Sequence, residues 1–142
     1  MTFVGVATPI MAALAERFEM DVLLATRDRL EMLVLEHCRS GAAHGSAPVA
    51  GALLPMEVTA IGRAFLWAQS PPLQGELIAR IRIESSDKGA RSIPGIYRAF
   101  QEIEERGFCT VHGEWRRDVL RDAARQAGTS DRLGAGESRS PL

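Results

Sequence analysis

Lysine is almost absent from this chain of 142 residues: Lys88 is the only lysine among 17 basic residues, and the others are arginines. The 17 basic residues are balanced by 18 acidic ones, so the formal net charge is -1. A protein that holds nucleic acid through its phosphate backbone carries an excess of positive charge. The charge balance therefore argues against nucleic acid as a direct partner.

Long apolar runs and cysteines are also scarce. No apolar run approaches the roughly 20 residues that a membrane helix needs, and Met1 to Ala7 has no basic stretch typical of an export signal. The two cysteines, Cys38 and Cys109, are too few for a disulfide framework. We therefore expect a cytoplasmic protein with no membrane partner.

Each cysteine lies near a histidine, which raises the alternatives of a metal site or a nucleophile. Cys109 with His112 and His37 with Cys38 could supply four zinc ligands, but neighbours in a strand point to opposite faces. A Cys109 nucleophile with His112 as its base would need an orienting group and an oxyanion pocket, and the sequence indicates neither. We expect no metal, no cofactor and no enzyme activity.

The first half of the chain predicts a helix followed by a hairpin. Thr8 and Pro9 are typical of a helix start, because threonine caps free amides and proline needs no acceptor in the first turn. Apolar runs at 22–25 and 30–35 flank the charged segment 26–29, which predicts two antiparallel strands.

Three more helices are predicted after a short strand at 52–56. Thr59 can cap the first of these helices, and prolines end it. Its inner face is expected to contain Ile61, Ala64, Phe65 and Ala68. The inner face of the next helix is expected to contain Leu73, Leu77, Ile78 and Ile81. Residues 85–91 predict a surface loop, after which Ser92 caps a last helix that ends at Gly107.

The C-terminal end has a different composition. Residues 108–111 and 115–119 predict two strands, but no apolar strand pattern follows them. From about Gly128 onward Gly, Ser, Arg and Asp dominate, which is typical of disorder. The expected organisation is one domain over residues 1–120, incomplete at its C-terminal end, and an atypical, partly disordered tail over residues 121–142.

The segment from Leu54 to Leu66 resembles the signature of effector-binding domains in the IclR family of bacterial transcription regulators. Residues 7–17 and 103–108 resemble the first and last helices of such domains, and residues 113–119 are similar to a variant in one branch. The resemblance covers residues 6–119 in family order. It implies an α+β fold of the GAF or profilin type, with an antiparallel sheet flanked by helices and, here, without its last strands.

The resemblance implies the ligand-sensing domain of such a regulator, which binds a small organic acid, with aromatic acids among the candidates. The first turn of a helix at Thr59 to Gly62 would present amides without intrahelical acceptors, which favour an anion. The candidate ligand-binding residues are Leu54, Met56, Thr59, Ala60, Ile61 and Gly62 on one side of the pocket and Val111 and His112 on the other.

The resemblance also implies a homo-oligomer, a dimer or a tetramer, whose geometry responds to the ligand. The sequence contains no helix-turn-helix segment, so we do not expect this chain alone to bind an operator. The alternative interpretation is a degenerate regulator fragment that senses nothing and acts only as a dimerisation or interaction module. Because the last strands are missing, we expect that the reading frame or the gene end changed just after Val119.

Overall fold

The computed structural model describes residues 2–41, 48–112, 114, 131–132 and 137–138, with side chains described for all of these except 86–88, 131–132 and 137–138. The helices in this part of the chain are α1 (Phe3–Phe18), α2 (Ala60–Ala68), α3 (Pro71–Glu84) and α4 (Ser86–Arg106). The strands are β1 (Asp21–Asp28), β2 (Glu31–Cys38), β3 (Leu53–Pro55), β4 (Thr110–Val111), β5 (Asp131–Arg132) and β6 (Glu137–Ser138). The α+β fold class is confirmed.

The sheet has the strand order β3-β2-β1-β6-β5-β4, and all neighbouring strands are antiparallel. β1 and β2 form the predicted hairpin, and Asp28 pairs with Glu31 at its closed end. The turn is shorter than the predicted segment 26–29, because Arg29 adopts the left-handed conformation (φ 56°) that reverses a chain tightly.

Four described residues of the tail take part in the sheet. Asp131–Arg132 pairs with β4, and Glu137–Ser138 pairs with Asp131–Arg132 on one side and with the start of β1 on the other. This pairing partly corrects the prediction that no strand follows residue 119. The backbone hydrogen bonds that pair these strands need no apolar side chains, so the polar sequence of the tail did not indicate the strands. Each strand is only two residues long, and the predicted strand at 115–119 lies outside the described residues.

α1 begins earlier than the sequence predicted. Thr2 caps it, because its Oγ1 accepts a hydrogen bond of 3.0 Å from the amide of Gly5. Thr8, the predicted cap, lies inside the helix, where its hydroxyl donates to the carbonyl of Val4 at 2.8 Å. The earlier start extends the helix face that packs on the sheet, since Ala7 lies against the cluster that contains Met11.

α4 also begins earlier than predicted, and it replaces the loop expected at 85–91. It runs for 21 residues from Ser86, and Ser92, the predicted cap, lies inside it and donates to the carbonyl of Gly89 at 2.6 Å. A Cβ at Gly89 would lie 2.2 Å from the carbonyl oxygen of Ile81, so the two helices approach each other closely here. A polar helical turn carries no apolar periodicity, which explains the wrong loop prediction.

The sheet is covered by helices on both faces. The main core lies between β1, β2, β3 and the helices α2, α3 and α4; its buried members include Leu23, Met32, Val34, Leu54, Met56, Leu66, Leu77, Ile81 and Ile96. α1 covers the opposite face with Met11 and Ala15 against Val22. Within the described residues, no helix is long and apolar enough to cross a membrane.

The buried face of α2 is rotated from the predicted one. Leu66 is fully buried and Ala68 is exposed, whereas the predicted members Ile61, Ala64 and Phe65 are half-buried. The rotation arises because the small residues Ala60 and Gly62 and the charged residue Arg63 are buried as well. The buried face was predicted from the spacing of apolar residues, and such a prediction cannot place an arginine on that face.

Candidate functional site

The start of α2 is fixed by the side chain of Thr59. Its Oγ1 accepts a hydrogen bond of 3.2 Å from the amide of Gly62 and donates one of 2.6 Å to the carbonyl of Pro55, the last residue of β3. The predicted cap is therefore confirmed. Because the amide of Gly62 has Thr59 as its acceptor, the first two amides of the helix, those of Ala60 and Ile61, are the ones without an intrahelical partner.

Gly62 brings the helix into backbone contact with the loop that precedes it. A Cβ at this position would lie 2.2 Å from the carbonyl oxygen of Met56 and 2.4 Å from its Cα. No side chain fits in such a gap, so only glycine allows the approach. The loop formed by residues 56–59 and the first turn of α2 therefore form one closely packed unit, which we call the α2 entry.

The candidate ligand-binding residues fall into two adjoining clusters. Leu54 and Met56 belong to the main core, whereas Ala60 and Val111 belong to a smaller cluster with Cys109. Ile61 packs against both clusters. The two predicted walls thus meet at Ala60 and Val111.

His112 differs from the other candidate residues because it is exposed. Thr59 and Ala60 are only 2% and 1% exposed, so a ligand that reaches the α2 entry has to enter the interior of the domain. The ligand-binding role of all eight candidates stays a prediction.

Arg63 is the polar residue of this region that sequence reasoning missed. Its side chain is 3% exposed; Nε donates to the carbonyl of Glu57 at 2.8 Å, and Nη2 forms an ion pair with Glu114. Nη2 of Arg98 lies 3.7 Å from the other carboxylate oxygen of Glu114. Charged residues are rarely buried unless they are paired, so the sequence gave no local reason to expect a buried arginine here. The only signal was that Arg63 lies within the segment from Leu54 to Leu66 that resembles the family signature.

Cys109 lies beneath the α2 entry, with its Sγ 3.6 Å from the carbonyl oxygen of Ala60. Burial, as the largest cause, and the nearby carboxylate of Glu102 raise the pKa of the Cys109 thiol, Arg63 partly opposes them, and the resulting pKa is about 12. The thiol is therefore protonated at neutral pH, which argues against a nucleophile, because the reactive species is the thiolate.

The zinc alternative placed Cys38 beside Cys109, but the two cysteines lie in different clusters. Cys38 packs on the side of α1, with its Sγ 3.8 Å from the carbonyl oxygen of Thr8. Nε2 of His37 lies 3.4 Å from the carboxylate of Asp21. In the described part of the chain, no group of three or more potential ligands could hold a metal ion.

Comparisons with known proteins agree with the fold. The family model of the bacterial transcriptional regulator IclR C-terminal domain matches residues 1–125, which extends beyond Val119. The HTH-type transcriptional regulator TsaQ1/TsaQ2 of Comamonas testosteroni is 33% identical over 116 residues, which are 80% of this chain and 42% of that protein. The chain therefore spans less than half the length of this relative.

Solved structures of related proteins have the same architecture. An IclR family transcriptional regulator from Brucella abortus is 30% identical with a TM-score of 0.76, over 83% of this chain and 45% of that one. An IclR homolog from Microbacterium hydrocarbonoxydans, complexed with 4-hydroxybenzoate, is 16% identical with a TM-score of 0.66, over 96% and 54% of the two chains. At that identity the second likeness concerns the fold alone. From the family match and the relatives, the chain belongs to the IclR family of bacterial transcription regulators, not to a family of enzymes, and it corresponds to the C-terminal effector-binding domain.

Proposed function

We propose that this chain binds a small aromatic carboxylic acid at the α2 entry. The observation that carries the proposal is that α2 begins inside the domain, where Ala60 is 1% exposed, and not at the surface. The amides of Ala60 and Ile61 have no acceptor within the helix, and the helix dipole favours a negative group at this end. A carboxylate that is desolvated here would receive donors and charge stabilisation together.

The apolar surroundings favour an aromatic body on that carboxylate. Met56, Ile61 and Val111 surround the helix start, and they offer carbon atoms and no charge. Ligand sites in proteins combine such a lining with a few placed polar groups. The 4-hydroxybenzoate in the structure of the Microbacterium homolog belongs to the same chemical class, which supports the choice.

A thermal shift titration tests the proposal, because a ligand that binds only the native state raises stability as its concentration rises. We expect 4-hydroxybenzoate to raise the melting temperature and 4-hydroxybenzamide, the uncharged analogue of the same shape, to leave it unchanged. Equal shifts with both compounds would show that the helix amides do not select a carboxylate. No shift with any aromatic or keto acid would remove the sensing function.

A pair of variants locates the binding. Ala60→Val adds two carbons where the ligand would contact the turn, and we expect it to weaken binding about tenfold, since overpacking costs at least about 1 kcal/mol. Gly75→Ala is the matched control, because a Cβ at Gly75 meets no atom within 4 Å. Unchanged affinity in a folded Ala60→Val variant would place the ligand elsewhere.

A second candidate function, association with another copy, is favoured by α1. Its outer face exposes Phe3 (73%), Val6 (47%) and Ile10 (60%) at helical spacing. Contiguous exposed apolar surface is typical of protein contacts. Sedimentation velocity should show a dimer or a tetramer that Ile10→Glu dissociates and that Ile83→Glu, a change at an exposed residue of α3, leaves intact. A monomer at all concentrations would contradict this candidate.

A further inference from the structure

The guanidinium of Arg63 connects three parts of the chain that are distant in sequence. It donates to the carbonyl of Glu57 in the loop before α2, it forms an ion pair with Glu114 after β4, and it lies against Gly95 of α4. A buried cation is stable only when its donors are paired, so these contacts depend on one another. A shift of the guanidinium would therefore disturb all three parts.

Gly95 provides the space that the guanidinium occupies. A Cβ at Gly95 would lie 2.4 Å from Nη2 and 2.8 Å from Cζ of Arg63, and these two atoms belong to the end of a flexible side chain. A methyl group at this position would displace the guanidinium and leave the backbones of α2 and α4 in place. Gly95→Ala is thus a change that moves the charged group of Arg63 without removing it.

We propose that Arg63 is a positioning residue of the effector site: it holds the α2 entry in place from the side of α4, and it ties the entry to the segment after β4 through Glu114. The inference about the ligand rests on the proposed function, whereas the inference about the loop does not. The hydrogen bond from Nε to the carbonyl of Glu57 fixes the loop 56–59, in which Met56 packs on Gly62. The position of the Ala60 and Ile61 amides therefore depends on the contacts of Arg63. When these contacts are lost, the amides no longer hold the position that a carboxylate needs.

Amide hydrogen exchange tests the loop inference in the full chain. Three backbone amides serve as reporters. The amide of Met56 donates to the carbonyl of Leu30. The amide of Gly62 donates to Oγ1 of Thr59, and the amide of Arg63 donates to the carbonyl of Thr59. In Gly95→Ala we expect these amides to exchange about tenfold faster, the loss expected for a hydrogen bond to a charged donor. The amides of Leu77 and Ile78 in α3 should keep their rates, because they belong to the main core.

Two further variants make the test specific to Arg63. In an Arg63→Met background, Gly95→Ala should accelerate exchange no further, because the group that it displaces is gone. Gly75→Ala, with open space around its Cβ, should change no rate. Equal acceleration at all amides would show a general loss of stability, and unchanged rates at the α2 entry would show that Arg63 does not hold it; either result overturns the inference.

Arg63→Lys covers the case in which Gly95→Ala does not fold, because it keeps the charge and loses the planar arrangement of donors. It should accelerate the same three amides, and failure of both variants to fold would assign Arg63 to the whole fold and overturn the inference. In the ligand arm, Gly95→Ala should bind 4-hydroxybenzoate about tenfold more weakly than the unchanged chain. If the unchanged chain does not bind the acid, the proposed function fails while the exchange result stands.

Discussion

The main core and the α2 entry are held together by different means. Leu77 and Ile81 fill the main core, where the volume of apolar side chains stabilises the packing. At the α2 entry, Thr59 and Gly62 make contacts that depend on a single hydroxyl and on a missing Cβ. Apolar volume therefore specifies the scaffold, whereas individual atoms specify the place where the ligand is proposed to bind.

Gly62→Ala is expected to cause the largest loss of stability among these variants. Because the added methyl group would overlap the backbone of Met56, we expect a loss of about 3 kcal/mol in the free energy of unfolding, measured in urea. Gly75→Ala in α3 should be neutral or slightly stabilising. A similar small effect of both substitutions would mean that the α2 entry tolerates an added methyl group as well as an exposed helix position does.

Thr59→Ala removes both hydrogen bonds of the cap. We expect it to cost about 2 kcal/mol of unfolding free energy, because it leaves the carbonyl of Pro55 and the amide of Gly62 without partners. Thr59→Ser keeps the hydroxyl and should recover most of this loss. If serine were no better than alanine in urea unfolding, the methyl group and not the cap would be the stabilising element.

Cys109 beneath the α2 entry gives a dependence on alkaline pH. Its pKa is raised from 9.0 to about 12, so between these values the unfolded chain releases the proton while the folded chain keeps it, and stability falls as the pH rises. Between pH 8 and pH 10, the unchanged chain should lose about 1.4 kcal/mol more than Cys109→Ala. Because burial and the carboxylate of Glu36 raise the pKa of Cys38 as well, Cys38→Ala should remove a separate part of the alkaline loss and keep the part that Cys109 causes. If Cys38→Ala removed the whole loss, the effect would belong to Cys38.

Ile81→Val is the smallest expected change, and it probes the main core. Removing one methyl group from this fully buried side chain should cost about 1 kcal/mol of unfolding free energy. The affinity for the effector, measured by calorimetry, should stay the same. A fall in affinity would show that the main core and the α2 entry are energetically coupled and not independent.

The sequence was sufficient where one residue type has one structural use. Thr59 before an apolar helix, Gly107 after one and the hairpin of β1 and β2 could all be predicted, because a cap, a left-handed glycine and two apolar runs around a charged turn are local signals. The resemblance to the family also predicted that the segment from Thr59 to Gly62 is the first turn of a helix. The ligand-binding role of the candidate residues has no such local signal.

The sequence was insufficient where tertiary contacts decided the outcome. Ser92 looked like a cap, but the docking of α4 on α3 through Gly89 extends the helix past it. The burial of Arg63 depends on Gly95 and Glu114, which lie 32 and 51 positions further along the chain. Such a triad carries no periodicity, so it could only be seen once the fold had brought the three residues together.

Binding of an aromatic acid at the α2 entry can be observed by a two-dimensional NMR titration of the nitrogen-15-labelled chain. The ligand is the aromatic acid that most raises the melting temperature. Binding at the α2 entry predicts that the largest amide shifts occur at Ala60 and Ile61 and saturate at the same ligand concentration as the thermal effect. Shifts that are largest in α1 or α3, or that leave Ala60 and Ile61 unmoved at saturation, would contradict it.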